Sequence, residues 1–283
     1  MLIAQITDLH IGFDAADPNE YNKQRLDHVL AKILEGPNKP DLMLVTGDIT
    51  ERGDPESYRR TKELLGACPF PWHPIPGNHD DRTNFSRAFP DVPTPGGFVQ
   101  YVLYLGALRL ILLDTLEEGR HGGAFCQVRA AWLKARLEED RKTPTVLVMH
   151  HPPMDVGIDW MRTDPREPWV QRFAEAIEGA GNVQSILCGH LHVPITAPWR
   201  GVTVAVCPAV APGVTLDLRP MDPEKPDLRP MVVADMPGFG MHWWNGTELV
   251  SLYNYAEDPV PLAKFDGRMQ GLVKHLMEER PGG

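Results

Sequence analysis

Five short apolar runs, Leu2–Ile6, Leu42–Thr46, Trp72–Ile75, Thr145–Met149 and Ser185–Cys188, are each followed at once by residues able to bind cations. The sequels are Asp8-Leu9-His10, Gly47-Asp48, Gly77-Asn78-His79-Asp80, His150-His151 and Gly189-His190-Leu191-His192. An apolar run this short, bounded by glycine, proline and polar residues, reads as a buried strand. In open α/β sheets, ligands bind beyond the carboxyl ends of the strands, where the scaffold is rigid and the loops diverge. The placement therefore predicts that segments as distant as Asp8 and His192 converge on one site.

Taken singly the islands say little, because an Asp-x-His pair at a strand end is usually just solvated. Gly-His-x-His is sharper, since two imidazoles two residues apart are well placed to chelate one ion or neighbouring ions. The set taken in order is sharper still. Seven side chains, Asp8, His10, Asp48, Asn78, His150, His190 and His192, suffice for two divalent ions if one carboxylate bridges and the other six divide between them. That leaves open positions for water and substrate, as metal-assisted displacement at phosphorus requires. Nitrogen and oxygen donors without thiolate suit Fe, Mn, Zn or Co.

Bulk properties narrow the substrate. With 28 basic against 38 acidic side chains in 283 residues, the formal net charge is −10. Long nucleic acids are bound through basic faces that neutralise phosphates, and none is evident. An anionic substrate must be drawn in locally by the ions, which favours small phosphodiesters. Cys68, Cys126, Cys188 and Cys207 are scattered without Cys-x-x-Cys spacing, so they read as reduced thiols of a cytoplasmic protein. The first strand is expected to begin the chain, leaving no room for a leader, and no apolar run approaches the ~18 residues of a membrane span.

Between the islands, Leu26, Val29, Leu30, Ile33 and Leu34 recur at helical spacing. A second helix should start at Pro55 with Asp54 as its cap, turning Tyr58, Thr61, Leu64 and Leu65 inward. Phe98–Leu105 and Leu108–Asp114 read as a hairpin turning at Gly106-Ala107, which makes the sheet mixed. Gln127–Glu139 reads as a helix with Val128, Trp132 and Ala135 on its buried side, Leu133 and Leu137 as further candidates there, and Trp132 as core anchor. Further strands are expected at Val202–Val206, Gly240–Trp244 and Glu248–Tyr255, the last two joined at Asn245-Gly246. Residues 1–200 are expected to form the catalytic core. Residues 201–283 would add the last strands, a proline-dense excursion from Pro208 to Pro237, and a tail that caps the site or joins subunits in a homodimer or higher homo-oligomer. The loop from Met154 to Trp169 is tethered beside His151, so Met154, Trp160 and Met161, with His151 itself, are candidate substrate contacts.

The island series, including Gly-Asp-Ile-Thr at Gly47, Pro-Gly-Asn-His-Asp at Pro76 and His-His-Pro-Pro at His150, resembles the calcineurin-like metallophosphoesterases. Within them it is similar to the branch of class III cyclic-nucleotide phosphodiesterases and bacterial glycerophosphodiesterases. Protein Ser/Thr phosphatases carry glycine directly after the first histidine, where this chain has Ile11, which argues against them. The resemblance implies a four-layer α/β/β/α sandwich of two mixed sheets flanked by helices. It assigns Asp8, His10 and His192 to one ion, Asn78, His150 and His190 to a second, and Asp48 as the bridge. It gives His79 the task of stabilising charge on the scissile phosphate or protonating the departing oxygen. The activity implied is hydrolysis of small phosphodiesters, cyclic nucleotides such as cAMP or glycerophosphodiesters. The rival readings are a phosphomonoesterase acting on nucleotides or small metabolites, and a non-catalytic scaffold. Asp80 is expected to orient its neighbours by hydrogen bonding, Arg52 to face water, and His28, His73, His121 and His242 to carry no chemistry.

Overall fold

The computed structural model describes residues 1–280. Its first part alternates strand and helix: β1 (Leu2–Ile6), α1 (Tyr21–Glu35), β2 (Leu42–Thr46), α2 (Pro55–Leu65), β3 (Trp72–Ile75) and α3 (Arg82–Ala88). A hairpin of β4 (Tyr101–Leu105) and β5 (Leu108–Leu112) precedes α4 (Gln127–Glu139), β6 (Thr145–Val148), α5 (Pro168–Ile177) and β7 (Val183–Cys188). Then come β8 (Ile195–Trp199), β9 (Val202–Val206), β10 (Gly213–Val214), β11 (Val232–Val233), β12 (Gly238–Trp244), β13 (Leu249–Tyr255) and α6 (Gln270–Glu278).

One sheet has the order β13-β12-β1-β2-β3 and the other β4-β5-β6-β7-β9-β8, and both are mixed. Strands β1, β2 and β3 run parallel, as do β5, β6, β7 and β9, so their carboxyl ends point the same way within each sheet. Near-continuous apolar sequence in the second sheet follows from burial on both faces. Leu110, Leu112, Val146, Val148, Leu187 and Ala205 join the core that also holds β1, β2 and α1. The alternate residues Ile111, Leu147, Ile186 and Val204 pack with α4 and α5 on the other side. The result is the expected sandwich of two mixed sheets flanked by helices.

Asp54 caps α2 as its sequence suggests, accepting hydrogen bonds from the Ser57 amide (3.0 Å) and hydroxyl (2.6 Å). Helix α4 shares only part of its inward face, Leu133 and Leu137, with the expected one. It buries Arg129, Ala130, Leu133 and Leu137, leaving Val128 exposed and Trp132 only part-buried. The cause is Arg129, whose guanidinium lies 4.5 Å from the Phe98 ring centre and donates to the carbonyls of Asp114 and Leu116. A long amphipathic side chain thus takes a core position that apolar periodicity reserves for valine and tryptophan. Strand β8 and helices α3, α5 and α6 were not apparent from sequence pattern. The excursion from Pro208 to Pro237 forms a small ribbon, β10 paired antiparallel with β11. No helix among the described residues is long and apolar enough to cross a membrane.

Candidate active site

Beyond β1 and β2 the two chains stay joined but leave the strand conformation. The Asp8 amide donates to Gly47 O (3.0 Å) and the His10 amide to Asp48 O (2.9 Å). Asp8, His10 and Asp48 hold φ of 53°, 48° and 46°, and His190 and His192 hold 75° and 58°. Left-handed backbone costs an L-residue energy and clusters where the surroundings over-determine it, commonly at functional sites. Here it turns carboxylates and imidazoles from both sheets toward one another. Gly47 (φ 96°) and Gly77 permit the approach: a Cβ on Gly47 would lie 2.3 Å from His150 Nδ1, and one on Gly77 2.3 Å from Asp48 Oδ1.

The resulting cluster is tight. Asp48 Oδ2 lies 3.6 Å from His10 Nε2 and 3.3 Å from His150 Nε2, between the two imidazoles. Asp8 Oδ1 lies 3.3 Å from His192 Nε2 and 4.0 Å from His150 Nε2. Asn78 Oδ1 stands 3.2 Å from His150 Nε2, and the His150 and His190 ring centres are 5.2 Å apart. Asp8, His10 and His192 offer ligand atoms within 4.8 Å of one another, as do Asp8, Asp48 and His150.

Tautomers follow from the acceptors. A carbonyl oxygen can only accept, so His150 Nδ1–H donates to Thr46 O (2.8 Å) and His192 Nδ1–H to Pro212 O (2.7 Å). Both rings therefore turn Nε2 toward the cluster. His10 Nδ1 pairs with Glu51 Oε2 at 2.8 Å, while His10 Nε2 is buried without a hydrogen-bond partner. An orphaned buried nitrogen is costly unless something else occupies its lone pair. A divalent cation fits this nitrogen and oxygen donor set, and the second nitrogen of each ring is already anchored, the usual support for metal-binding histidines.

Electrostatics point the same way. Burial pushes the Asp8 carboxyl up, but His192 and His150 outweigh it and hold it at about 2. Burial likewise opposes ionisation of Asp48, yet His150 and His10 hold it well below the usual carboxylate range. Against burial, Asp48 and Asp8 raise His150 to about 9. Burial and the neighbouring His150 push His190 down to about 3.

The cluster forms the floor of a cavity of about 560 Å³, lined also by Glu51, His79 and His121 and walled by Phe13, Tyr21, Trp160, Met161, Val214 and Val232. Trp160 and Met161 line this cavity. Met154 does not: it is 7% exposed and packs in the core against α4 and α5. His151 is also set back, because Thr115 Oγ1 (2.8 Å) engages Nδ1 and His121 O (3.2 Å) accepts from Nε2, leaving neither ring nitrogen free. Asp80 accepts from the amides of Ile49, Thr50 and Gly77 and from the hydroxyls of Thr50 and Tyr58, tying the Asp48 loop to the Asn78 turn. Arg52 faces solvent. Sequence reasoning passed over Glu51, three residues after Asp48, and assigned no chemistry to His121, whose Nδ1 is 3.4 Å from Asn78 Nδ2.

Two mixed sheets face to face, with buried carboxylates, imidazoles and an amide gathered at their strand ends, define a metallophosphoesterase sandwich. The chain belongs to the calcineurin-like phosphoesterase family, which it matches over residues 1–194. A probable glycerophosphodiester phosphodiesterase from Arcobacter nitrofigilis is 28% identical over 279 residues, covering 95% of this chain and 99% of the relative. A probable cyclic nucleotide phosphodiesterase from Rhodopseudomonas palustris is 35% identical over 238 residues, 77% of this chain and 81% of the relative. A dimetal phosphatase from Danio rerio shares the fold with a TM-score of 0.66 at 14% identity, covering 92% of this chain and 98% of that one.

Proposed function

We propose that this chain hydrolyses small phosphodiesters, cyclic nucleotides or glycerophosphodiesters, with two divalent ions of Fe, Mn, Zn or Co. The observation that carries the reading is Asp48 Oδ2, 3.6 Å from His10 Nε2 and 3.3 Å from His150 Nε2 at the floor of an apolar-walled cavity. Asp48 would bridge, Asp8, His10 and His192 would hold one ion, and Asn78, His150 and His190 the other. When bound, such a pair supplies Lewis acidity that lowers the pKa of water and neutralises charge on phosphoryl oxygens.

The remaining work falls to the chain itself. Asp48 Oδ1 accepts the His79 amide (2.8 Å), so the bridging carboxylate and the His79 ring are positioned as one unit. His79 Nδ1–H donates to Glu51 O (3.0 Å), which leaves Nε2 as the free nitrogen of a cavity-lining ring. Glu51 Oε2, 3.7 Å from Nδ1, balances the charge of a doubly protonated ring, and Nε2–H can then pass its proton to the departing ester oxygen. The apolar walls supply contact area for the ester substituents and limit access of water.

The test uses metal-reconstituted protein with bis-p-nitrophenyl phosphate, p-nitrophenyl phosphate, cAMP and glycerophosphoethanolamine. Faster turnover of the diesters supports the reading. A strong preference for the monoester indicates a phosphomonoesterase instead, and ion binding without turnover of any of them indicates a scaffold.

A further inference from the structure

The proline-dense excursion ends where the site begins, and one buried side chain joins the two. Arg25 on α1 is 3% exposed and spends its guanidinium on both ends of the excursion. Nε donates to Val210 O (2.6 Å) and one terminal nitrogen to Ala211 O (3.0 Å) at the start. At the far end it donates to Asp235 O (2.5 Å) and pairs with Asp235 Oδ1 (3.1 Å). Asp235 Oδ1 in turn accepts the Gly213 amide (2.9 Å), closing the base of the β10–β11 ribbon.

That base is built into the active site. The Val210 and Ala211 amides donate to Thr7 O (3.0 Å) and Asp8 O (2.9 Å), extending the end of β1. The next residue, Pro212, supplies the carbonyl that holds His192 Nδ1 at 2.7 Å, and Val214 and Val232 on the ribbon wall the cavity. Tyr21, another wall residue, lies with its ring centre 5.5 Å from the Arg25 guanidinium carbon.

We propose that Arg25 and Asp235 are positioning residues: they latch the ribbon so that the Pro212 carbonyl orients His192 for its ion and the valines complete the substrate wall. The proposal rests on the reading of His192 as a metal ligand. Removing the latch should then weaken ion retention and substrate binding together while leaving the reacting groups in place. A lysine at position 25 would not serve, because a single ammonium cannot span both ends of the excursion as a planar fork can.

The test titrates metal-stripped protein with Mn²⁺, following loss of the free-ion EPR signal, and measures kcat and KM for bis-p-nitrophenyl phosphate. Arg25→Met is expected to weaken the affected Mn²⁺ site about tenfold, at the lower edge of what outer partners of metal ligands contribute. KM should rise several-fold, and kcat should return to within about twofold of wild type at saturating Mn²⁺, because no group that touches the phosphate has changed. Asp235→Asn, which keeps an oxygen for the Gly213 amide, should fall between the two and serves as the deciding variant if Arg25→Met does not fold. Unchanged Mn²⁺ affinity and KM in a folded variant, or a kcat deficit that Mn²⁺ does not restore, overturns the latch. Wild-type protein that binds no Mn²⁺ overturns the ligand reading beneath it, a distinguishable failure.

Discussion

Gly77→Ala is a one-carbon test of the site. The added methyl would sit 2.3 Å from Asp48 Oδ1, 2.4 Å from Asp48 N and 2.8 Å from His150 Nε2, where ordinary contact begins at 3.4 Å. Rotation of a side chain cannot relieve it, because one of the three atoms is backbone and the preceding carbonyl, Gly47 O, is held by the Asp8 amide. Asp48 must therefore retreat by about 1 Å, and a displacement of that size at a reacting centre costs roughly a hundredfold in rate. Overpacking should also cost about 1–3 kcal/mol of stability, so the variant remains folded but less resistant to urea. The assay is turnover of bis-p-nitrophenyl phosphate at saturating Mn²⁺, with urea midpoints in parallel. Gly181→Ala provides the control, since a Cβ there meets nothing within 4 Å. A Gly77→Ala protein retaining more than about a tenth of wild-type turnover would refute the claim that Asp48 and His150 act from these positions.

Three further outcomes are expected. Asp80→Ala orphans the amides of Ile49, Thr50 and Gly77 and two hydroxyls, so urea denaturation should show a loss of at least ~3 kcal/mol, and a loss under ~1 kcal/mol would contradict the clamp. His242, between Gln5 Oε1 (2.9 Å) and Ser251 Oγ (2.8 Å), is pushed by burial down to about 4. The unfolded chain, with its ordinary value near 6.5, takes up the proton first as pH falls. The contribution is thus intact above about pH 6.5 and lost progressively down to about pH 4, roughly 3 kcal/mol in all. His242→Gln should shrink the stability difference between about pH 7 and about pH 4.5, and an unchanged difference would exclude His242 as its source. Stripping ions with a chelator and restoring Mn²⁺ to about a hundredfold over its dissociation constant should raise Tm by roughly 5–10 °C, and identical melting curves would remove the ions from the site.

The strand ends were readable because their signal is local: an apolar run, then a ligand residue no more than three positions on. Leu2–Ile6, Leu42–Thr46 and Trp72–Ile75 are strands over those bounds; six of the side chains that follow the runs gather in overlapping groups, and Asn78 Oδ1 joins them beside His150. What surrounds them was less readable. Phe13, Tyr21, Val214 and Val232 reach the cavity from a turn, a helix start and the short β10–β11 ribbon, placed by long-range contacts such as Val210 N–H to Thr7 O, which no periodicity encodes. Met154 follows His151 by three residues, yet the chain turns it into the helical core. Sequence proximity to a ligand is a weak guide to cavity contact when burial competes. His121 illustrates the converse, a histidine without partner spacing that a loop carries beside Asn78.

The backbone strain at the ligands bears on how the site is kept. Five non-glycine residues in left-handed conformation, Asp8, His10, Asp48, His190 and His192, cost roughly 1–2 kcal/mol each. Together that rivals the ~5–15 kcal/mol by which a typical domain is stable, so the geometry persists only if the fold over-determines it. The means are on hand: Asp8 N–H to Gly47 O, His10 N–H to Asp48 O, Ala211 N–H to Asp8 O, and the His190 amide to the Asp8 carboxylate (3.0 Å). None of these bonds requires an ion. Preorganisation of this kind makes two losses separable at a single position. Asp8→Asn removes the charge while keeping a residue that tolerates left-handed backbone, whereas Asp8→Val adds the steric penalty of a β-branched side chain there. If the strain is real, the valine variant must be the less stable of the two in urea even with ions absent, and equal midpoints would mean the turn relaxes freely.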